Sequence, residues 1–259
     1  MMIAYLQQIY SYRYLIKTLA AKELKIKYKS AVLGWLWSIL NPLLLMLIFS
    51  FIFTYVIRVD VEKFPVFLLC GLLPWFFLSL SVTMATVSIV DNASLLKKTY
   101  FPLEVIPISV VGANFFNFLI SLILFIIFLF CFGIYPTINA LYLSAVVVSQ
   151  FIFVLGVSLV ACTLHTMFRD VKYAVELGLV IWFYATPIFY PVTLVPERFR
   201  ALFYFNPLTL FIMFYRDILL YKRTPDLILL TACALLSLTF LFFGGYIFSK
   251  FKKTFIDII

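Results

Sequence analysis

Hydrophobic and polar positions in this chain do not alternate. They segregate into long apolar blocks divided by short basic or proline-broken segments. A helix needs about 20 mostly apolar residues to cross the hydrocarbon of a bilayer. Six blocks reach or approach that length: 36–57, 65–90, 105–132, 141–165, 173–190 and 227–248. The third is long enough to tilt or overhang. The pattern predicts an all-α integral membrane protein with six transmembrane helices in a single domain over residues 1–259.

The segments between the blocks are particular. Residues 1–34 read as an amphipathic region at the membrane interface. Ile9, Tyr12, Ile16 and Leu19 recur at helical spacing, with Arg13 and Lys17 on a neighbouring face. A floppy basic tail is the alternative; the cost of leaving so much apolar surface in water favours the helix. After the second block comes "DNASLLKKTYFPLEVIP". Asp91-Asn92 can cap a new helical turn, and Pro102 and Pro107 punctuate the return. Leu95, Leu96, Lys97, Lys98, Tyr100 and Phe101 then form either a patch suited to docking another protein or a plain turn with membrane-anchoring lysines. Before the last block, Pro187, Pro191, Pro196, Pro207 and Pro225 break an apolar stretch. Its piece "LTLFIMFYRDILLY" is too short to span and reads as re-entrant or interfacial. Pro196 can open a short helix, and Asn206-Pro207 ends it. Arg216 and Asp217 then lie at or within the membrane boundary and need partners, which need not be each other.

Composition and charge sharpen this reading. Of the 259 residues 65% are hydrophobic and only 12% charged, too few charges to cover a water-facing surface. The net charge of +9 would suggest nucleic acid in a soluble protein. Here the basic residues sit at block edges and form no separate domain, so no nucleic-acid partner is expected. Thirteen of the 20 basic residues fall on one side: Arg13, Lys17, Lys22, Lys25, Lys27, Lys29, Lys97, Lys98, Arg169, Lys172, Lys250, Lys252 and Lys253. By the positive-inside rule both termini are cytoplasmic. Residues 1–30 are too charged and interrupted for a cleavable signal peptide. Cys70, Cys131, Cys162 and Cys233 lie in apolar runs without a CxxC spacing, and His165 is the lone histidine, so no disulfide frame or metal site is expected.

Several chemistries are missing from the sequence. No glycine is followed by lysine, so a P-loop cannot form. No HExxH, GxSxG or convincing set of paired carboxylates is present, so no catalytic residues are expected. The blocks hold almost no mid-membrane ionisable groups of the kind a proton relay needs; Lys172 and Glu176 can instead pair at i,i+4 at one edge. Aromatic rings are in excess, at 20% of the chain. Phe49 and Phe53 are i,i+4, as are Phe51 and Tyr55; Trp182 and Phe189 are i,i+7, as are Phe183 and Tyr190. Such rings can line a passage and stack on sugars, or they can be interfacial belts and lipid-facing groups.

The stretch "ELKIKYKSAVLGWLWSILNPLL" resembles the entry to the first span of the ABC-2 type permeases that export cell-surface polysaccharides, including O-antigen and wall teichoic acid. "FRDVKYAVELGLVIWFYATPIFYPV" and "NPLTLFIMFYRDILL" resemble the same family, and the match in layout covers essentially the whole chain. The resemblance implies a bacterial inner-membrane homodimer working with two ATP-binding cassette subunits. It implies no cofactor on this chain, with ATP and Mg on the partner. It implies an undecaprenyl-linked polysaccharide substrate and a channel at the dimer interface bounded by the first and fifth spans. Phe49, Phe53, Tyr55, Trp182, Phe183, Phe189 and Tyr190 would line it. A coupling helix would cover Ser94, Leu95, Leu96, Lys97, Lys98, Thr99, Tyr100 and Phe101, and short external gate helices would carry Arg198, Arg200, Arg216 and Asp217. Lys25, Lys27 and Lys29 could attract the lipid diphosphate, although positive-inside placement explains the same residues. Three alternatives stay open: an ABC-2 exporter of a drug or other lipid, a membrane enzyme acting on lipid-linked sugars, and a passive channel.

Overall fold

The computed structural model describes residues 11–28, 34–56, 61–97 and 101–258. Those residues are almost wholly helical, without strands. The helices are α1 (Arg13–Tyr28), α2 (Trp37–Phe51, continued by a π-turn over Ile52–Val56), α3 (Phe64–Asp91) and α4 (Ala93–Leu96). They continue as α5 (Val105–Cys131), α6 (Tyr142–Met167), α7 (Val171–Tyr184), α8 (Glu197–Tyr204), α9 (Pro207–Leu219) and α10 (Leu227–Ile258). Four of them, α3, α5, α6 and α10, are long and apolar enough to cross a membrane. The apolar run in α2 is shorter, over Leu40–Val56. In the expected 173–190 block the helix ends at Tyr184, because Pro187 and Pro191 interrupt the backbone.

α3 is the central helix, packed on α5, α6, α9 and α2. Two features hold the bundle around it. Pro42 and Pro74 sit inside α2 and α3, which lipid-embedded helices tolerate where neighbours re-satisfy the backbone. Beside Pro74 a polar bridge joins three helices: Gln150 Nε2 of α6 donates to the Pro74 carbonyl at 2.9 Å, while Tyr215 of α9 donates to Gln150 Oε1 at 2.8 Å. The second feature is a glycine contact between α6 and α10. A Cβ at Gly156 would stand 2.5 Å from the Phe240 carbonyl carbon, and one at Gly244 would strike the Gly156 carbonyl oxygen. Backbones approach that closely only where both side chains are absent.

α1 lies against α5 with Leu19 buried. Ile9 falls outside the described residues. α10 runs ten residues past the expected 248, carrying Phe251 and Phe255 onto a second small core with Ile89, Ile106, Leu159, Cys162 and Phe248. Among the described residues, Lys172 forms no ion pair with Glu176; its Nζ lies 5.5 Å from the Tyr173 ring centre. The end of the bundle near residues 92–104 and 250–253 is its basic end, and the opposite end is its aromatic end.

Candidate functional site

The aromatic end is built by segments from three separate parts of the chain. Phe49 and Phe53 come from α2, Phe64 and Phe67 from the first turn of α3, Phe183 from the end of α7, and Phe189 and Tyr190 from the turn after it. Phe189 is the hub. Its ring centre lies 5.6 Å from Phe49, 5.7 Å from Phe53 and 5.3 Å from Phe183. Phe53 also stacks on Phe64 at 5.6 Å, and Tyr190 meets Phe203 of α8 at 6.3 Å. Offset and edge contacts of this kind add about 0.5–1.5 kcal/mol per pair beyond area burial. Five of the seven rings singled out from spacing therefore converge: Phe49, Phe53, Phe183, Phe189 and Tyr190.

The other two do not join them. Tyr55 is 71% exposed and packs with Phe51, at 5.6 Å. Trp182 packs apart from the cluster, 6.3 Å from Phe153, and its Nε1 donates to Asn206 Oδ1 at 2.8 Å. The i,i+7 relation between Trp182 and Phe189 assumes one continuous helix, and the helix ends before Phe189.

The turn over 185–191 is buried along much of its length although it is not helical, so its carbonyls need donors. Arg216 supplies them. Nη1 donates to Pro187 O at 2.8 Å, and Nη2 donates to Ile188 O at 2.6 Å and Phe67 O at 3.5 Å. The guanidinium carbon sits 3.5 Å from the Phe67 ring centre, a cation–π contact. Gly71 makes room for this: a Cβ there would stand 3.0 Å from Arg216 Nη2 and 3.2 Å from Ile188 O. Asn206 completes the junction. Its Oδ1 accepts from Leu208 N and caps α9, and its Nδ2 donates to Thr186 Oγ1 at 3.0 Å.

Arg216 and Asp217 do not pair, as their adjacency allowed. Asp217 is half-buried, and that burial pushes its carboxyl upward against the pull of Arg223. Arg200 donates to Val195 O and Thr193 O, each at 3.0 Å, and meets Glu197 at 3.5 Å. Arg198 is exposed over the Phe199 ring. A cleft of about 280 Å³ opens beside them, lined by Arg200, Arg216, Asp217, Tyr221 and Arg223 among others. Sequence reasoning did not select Phe64, Phe67, Gly71, Asn206 or Arg223 for this site. Asn206 alone carried a signal, the Asn-Pro step that marks a helix boundary.

At the basic end, Ser94 and Lys97 are exposed, while Leu95 and Leu96 are half-buried. Leu96, Phe101 and Leu103 pack against the small core that includes Phe248 and Phe255. Asn92 does not cap α4 with its side chain. Its Nδ2 closes the end of α3 on Ser88 O at 2.9 Å, and its Oδ1 accepts from Lys22 of α1 at 3.3 Å. Glu104 is 1% exposed and meets Lys252 of α10 at 3.1 Å. Lys98, Thr99, Tyr100 and Lys29 lie outside the described residues, as does the side chain of Lys27; Lys25 is exposed on α1. Among the described residues no group of three or more His, Cys, Asp or Glu residues could hold a metal ion.

Comparison with known proteins adds an independent line. Residues 14–220 match the ABC-2 type transporter family. The chain is 36% identical over 246 residues to an O-antigen export system permease protein RfbA of Klebsiella pneumoniae, covering 95% of each chain. It is 36% identical to the RfbA of Myxococcus xanthus over the full length of both. The polysialic acid transport protein KpsM of Escherichia coli is more distant, at 25% identity over 88% of this chain and 90% of KpsM.

Proposed function

This chain belongs to the ABC-2 type transporter family, and on that premise we propose that it is the permease subunit of an ATP-driven exporter of lipid-linked polysaccharide. The observation that carries the reading is similarity to O-antigen export permeases along the whole of the aligned chains. In this reading α2 and α7 complete the six spans, both termini face the cytoplasm, and the basic end is the cytoplasmic end. Two copies meet through α2 and α7. Support comes from the apolar faces these helices leave uncovered: Leu47, Ile48 and Phe51 on α2, and Leu177, Val180 and Ile181 on α7, each more than half exposed. The glycan, carried on an undecaprenyl diphosphate, passes between the copies. Tyr55 and Tyr184, both exposed, offer it ring surfaces, and the Phe49, Phe53 and Phe189 cluster stiffens the wall behind them.

ATP hydrolysis belongs to separate cassette subunits, which dock at residues 94–101. Their motion enters the body through Leu96 and Phe101, which rest on the small core shared by α3, α5, α6 and α10. The short helices α8 and α9 form the external gate, with Arg216 fastening α9 to the turn that follows the fifth span.

The test is copurification with the cassette ATPase encoded beside this gene, then ATP hydrolysis and glycan export with Lys97, Lys98 and Tyr100 intact or replaced by alanine. A stable complex whose ATPase rate responds to the replacements is expected. Absence of any ATPase partner would remove the exporter reading.

A further inference from the structure

Arg216 poses a problem of charge that its hydrogen bonds do not solve. Its side chain is 3% exposed, and its three hydrogen bonds all go to uncharged carbonyl oxygens. Among the described residues no carboxylate lies within 4.0 Å of the guanidinium, and Nε has no hydrogen-bond partner. A buried cation at a membrane boundary is costly unless a counter-charge meets it. Asp217 lines the same cleft but stands outside ion-pair distance.

The cleft is otherwise basic. Its lining has three guanidinium groups, Arg200, Arg216 and Arg223, against the single carboxylate of Asp217; with Arg200 paired to Glu197, a surplus of one positive charge is left to Arg216 and Arg223. Tyr204, Tyr221 and Thr193 add hydroxyls to the wall. The Arg223 guanidinium lies 5.9 Å from the Tyr221 ring centre, on an exposed residue. Its backbone is held, since Arg223 N donates to Asp217 O at 2.8 Å. Arginine forks match the geometry of phosphate and carboxylate oxygens.

We propose that this cleft is an anion-binding site, taking a phosphate or carboxylate group at the membrane surface, with Arg216 as its buried counter-charge and Arg223 as its mobile clamp. This deepens the export reading and rests on it for placing the cleft on the exit side. The anion has two possible sources, a phospholipid headgroup or an acidic group on the exported molecule.

The test uses the full-length chain in phosphatidylcholine nanodiscs, titrated with inorganic diphosphate by calorimetry. Saturable binding is expected, weakened about tenfold or more by Arg223→Gln, the loss typical of one charge-assisted bond. Arg198→Gln removes a nearby charge that does not line the cleft and leaves binding unchanged. Because Arg216→Gln also removes the bonds that hold the 187–188 turn, Arg223→Gln carries the test. In a second arm, phosphatidylglycerol replaces part of the phosphatidylcholine. Competitive displacement of diphosphate then assigns the site to a lipid headgroup, and undiminished binding assigns it to an acidic group on the cargo. No saturable binding, or equal losses in Arg198→Gln and Arg223→Gln, would overturn the proposal. The titration needs no ATPase and no transport, so its failure leaves the export reading standing.

Discussion

α3 and α7 are both apolar helices, yet they end in different surroundings. α3 buries nineteen of its 28 residues within the chain. α7 buries only Leu179 of its 14. Hydrophobicity does not separate them, since lipid, the rest of the chain and a second copy all accept an apolar face. What separates them is fastening. α3 receives Gln150 on the Pro74 carbonyl and Arg216 on the Phe67 carbonyl, with Gly71 cleared for close approach. α7 is tied mainly at its last turn, through Trp182 to Asn206 and Phe183 to Trp75. In a membrane, where burial of apolar surface does not itself draw helices together, small residues and polar bonds decide which helices form the body.

The sharpest way to break this comparison is through glycine. Gly156→Leu drives a side chain into the α10 backbone, a clash no rotamer relieves. We expect a loss of about 3 kcal/mol or more, read as a lowered midpoint of thermal unfolding in detergent and loss of the monodisperse peak. At Gly178 of α7, an added methyl group would meet nothing within 4 Å. Gly178→Ala therefore holds or gains stability, by up to about 1 kcal/mol from helix propensity. An equal loss at both glycines would erase the distinction.

Next in size is Arg216→Met, which strips charged donors from the Pro187 and Ile188 carbonyls. A loss of about 2–3 kcal/mol is expected, with faster amide hydrogen exchange confined to 185–191 and its neighbours. Exchange that rises equally along α3 would show that Arg216 holds the whole bundle and not the turn. A smaller effect tests the uncovered face of α7. Leu177→Arg should leave the thermal midpoint of the single chain nearly unchanged while weakening self-association about tenfold, or about 1.4 kcal/mol, by analytical ultracentrifugation in detergent. Trp182→Phe gives the smallest change. It deletes the Nε1 bond to Asn206 at a cost of about 1 kcal/mol, visible as a slight fall in midpoint.

The long helices are legible because their length is set by bilayer thickness: the expected 65–90, 105–132 and 141–165 lie close to α3, α5 and α6. The last helix outruns its apolar block. Hydropathy marks where lipid ends, and Lys250, Lys252 and Lys253 are good helix formers that let α10 continue to Ile258. The fifth block outruns its helix, since apolar character continues through Phe189 while Pro187 breaks the backbone pattern. At the candidate site, the sequence indicates that Arg216 needs partners but gives no sign of which. Its acceptors are backbone carbonyls 28 and more residues upstream, and carbonyls carry no residue signature. Spacing finds Phe49 with Phe53, a relation within one helix; it cannot find Phe64, whose contact with Phe53 depends on α3 arriving beside α2, or Phe67, which meets Arg216 of α9.

The Gln150 bridge sets an order on biosynthesis. When α6 leaves the ribosome, the Pro74 carbonyl has already been made, so the amide nitrogen of Gln150 can be met at once. Its amide oxygen cannot, because Tyr215 lies 65 residues further on. At about 5–20 residues per second that is a wait of roughly 3–13 s, during which a polar acceptor must stay hydrated or find a temporary donor. α6 therefore cannot settle fully against α3 until α9 has been translated, and the centre of the bundle closes after most of its perimeter exists.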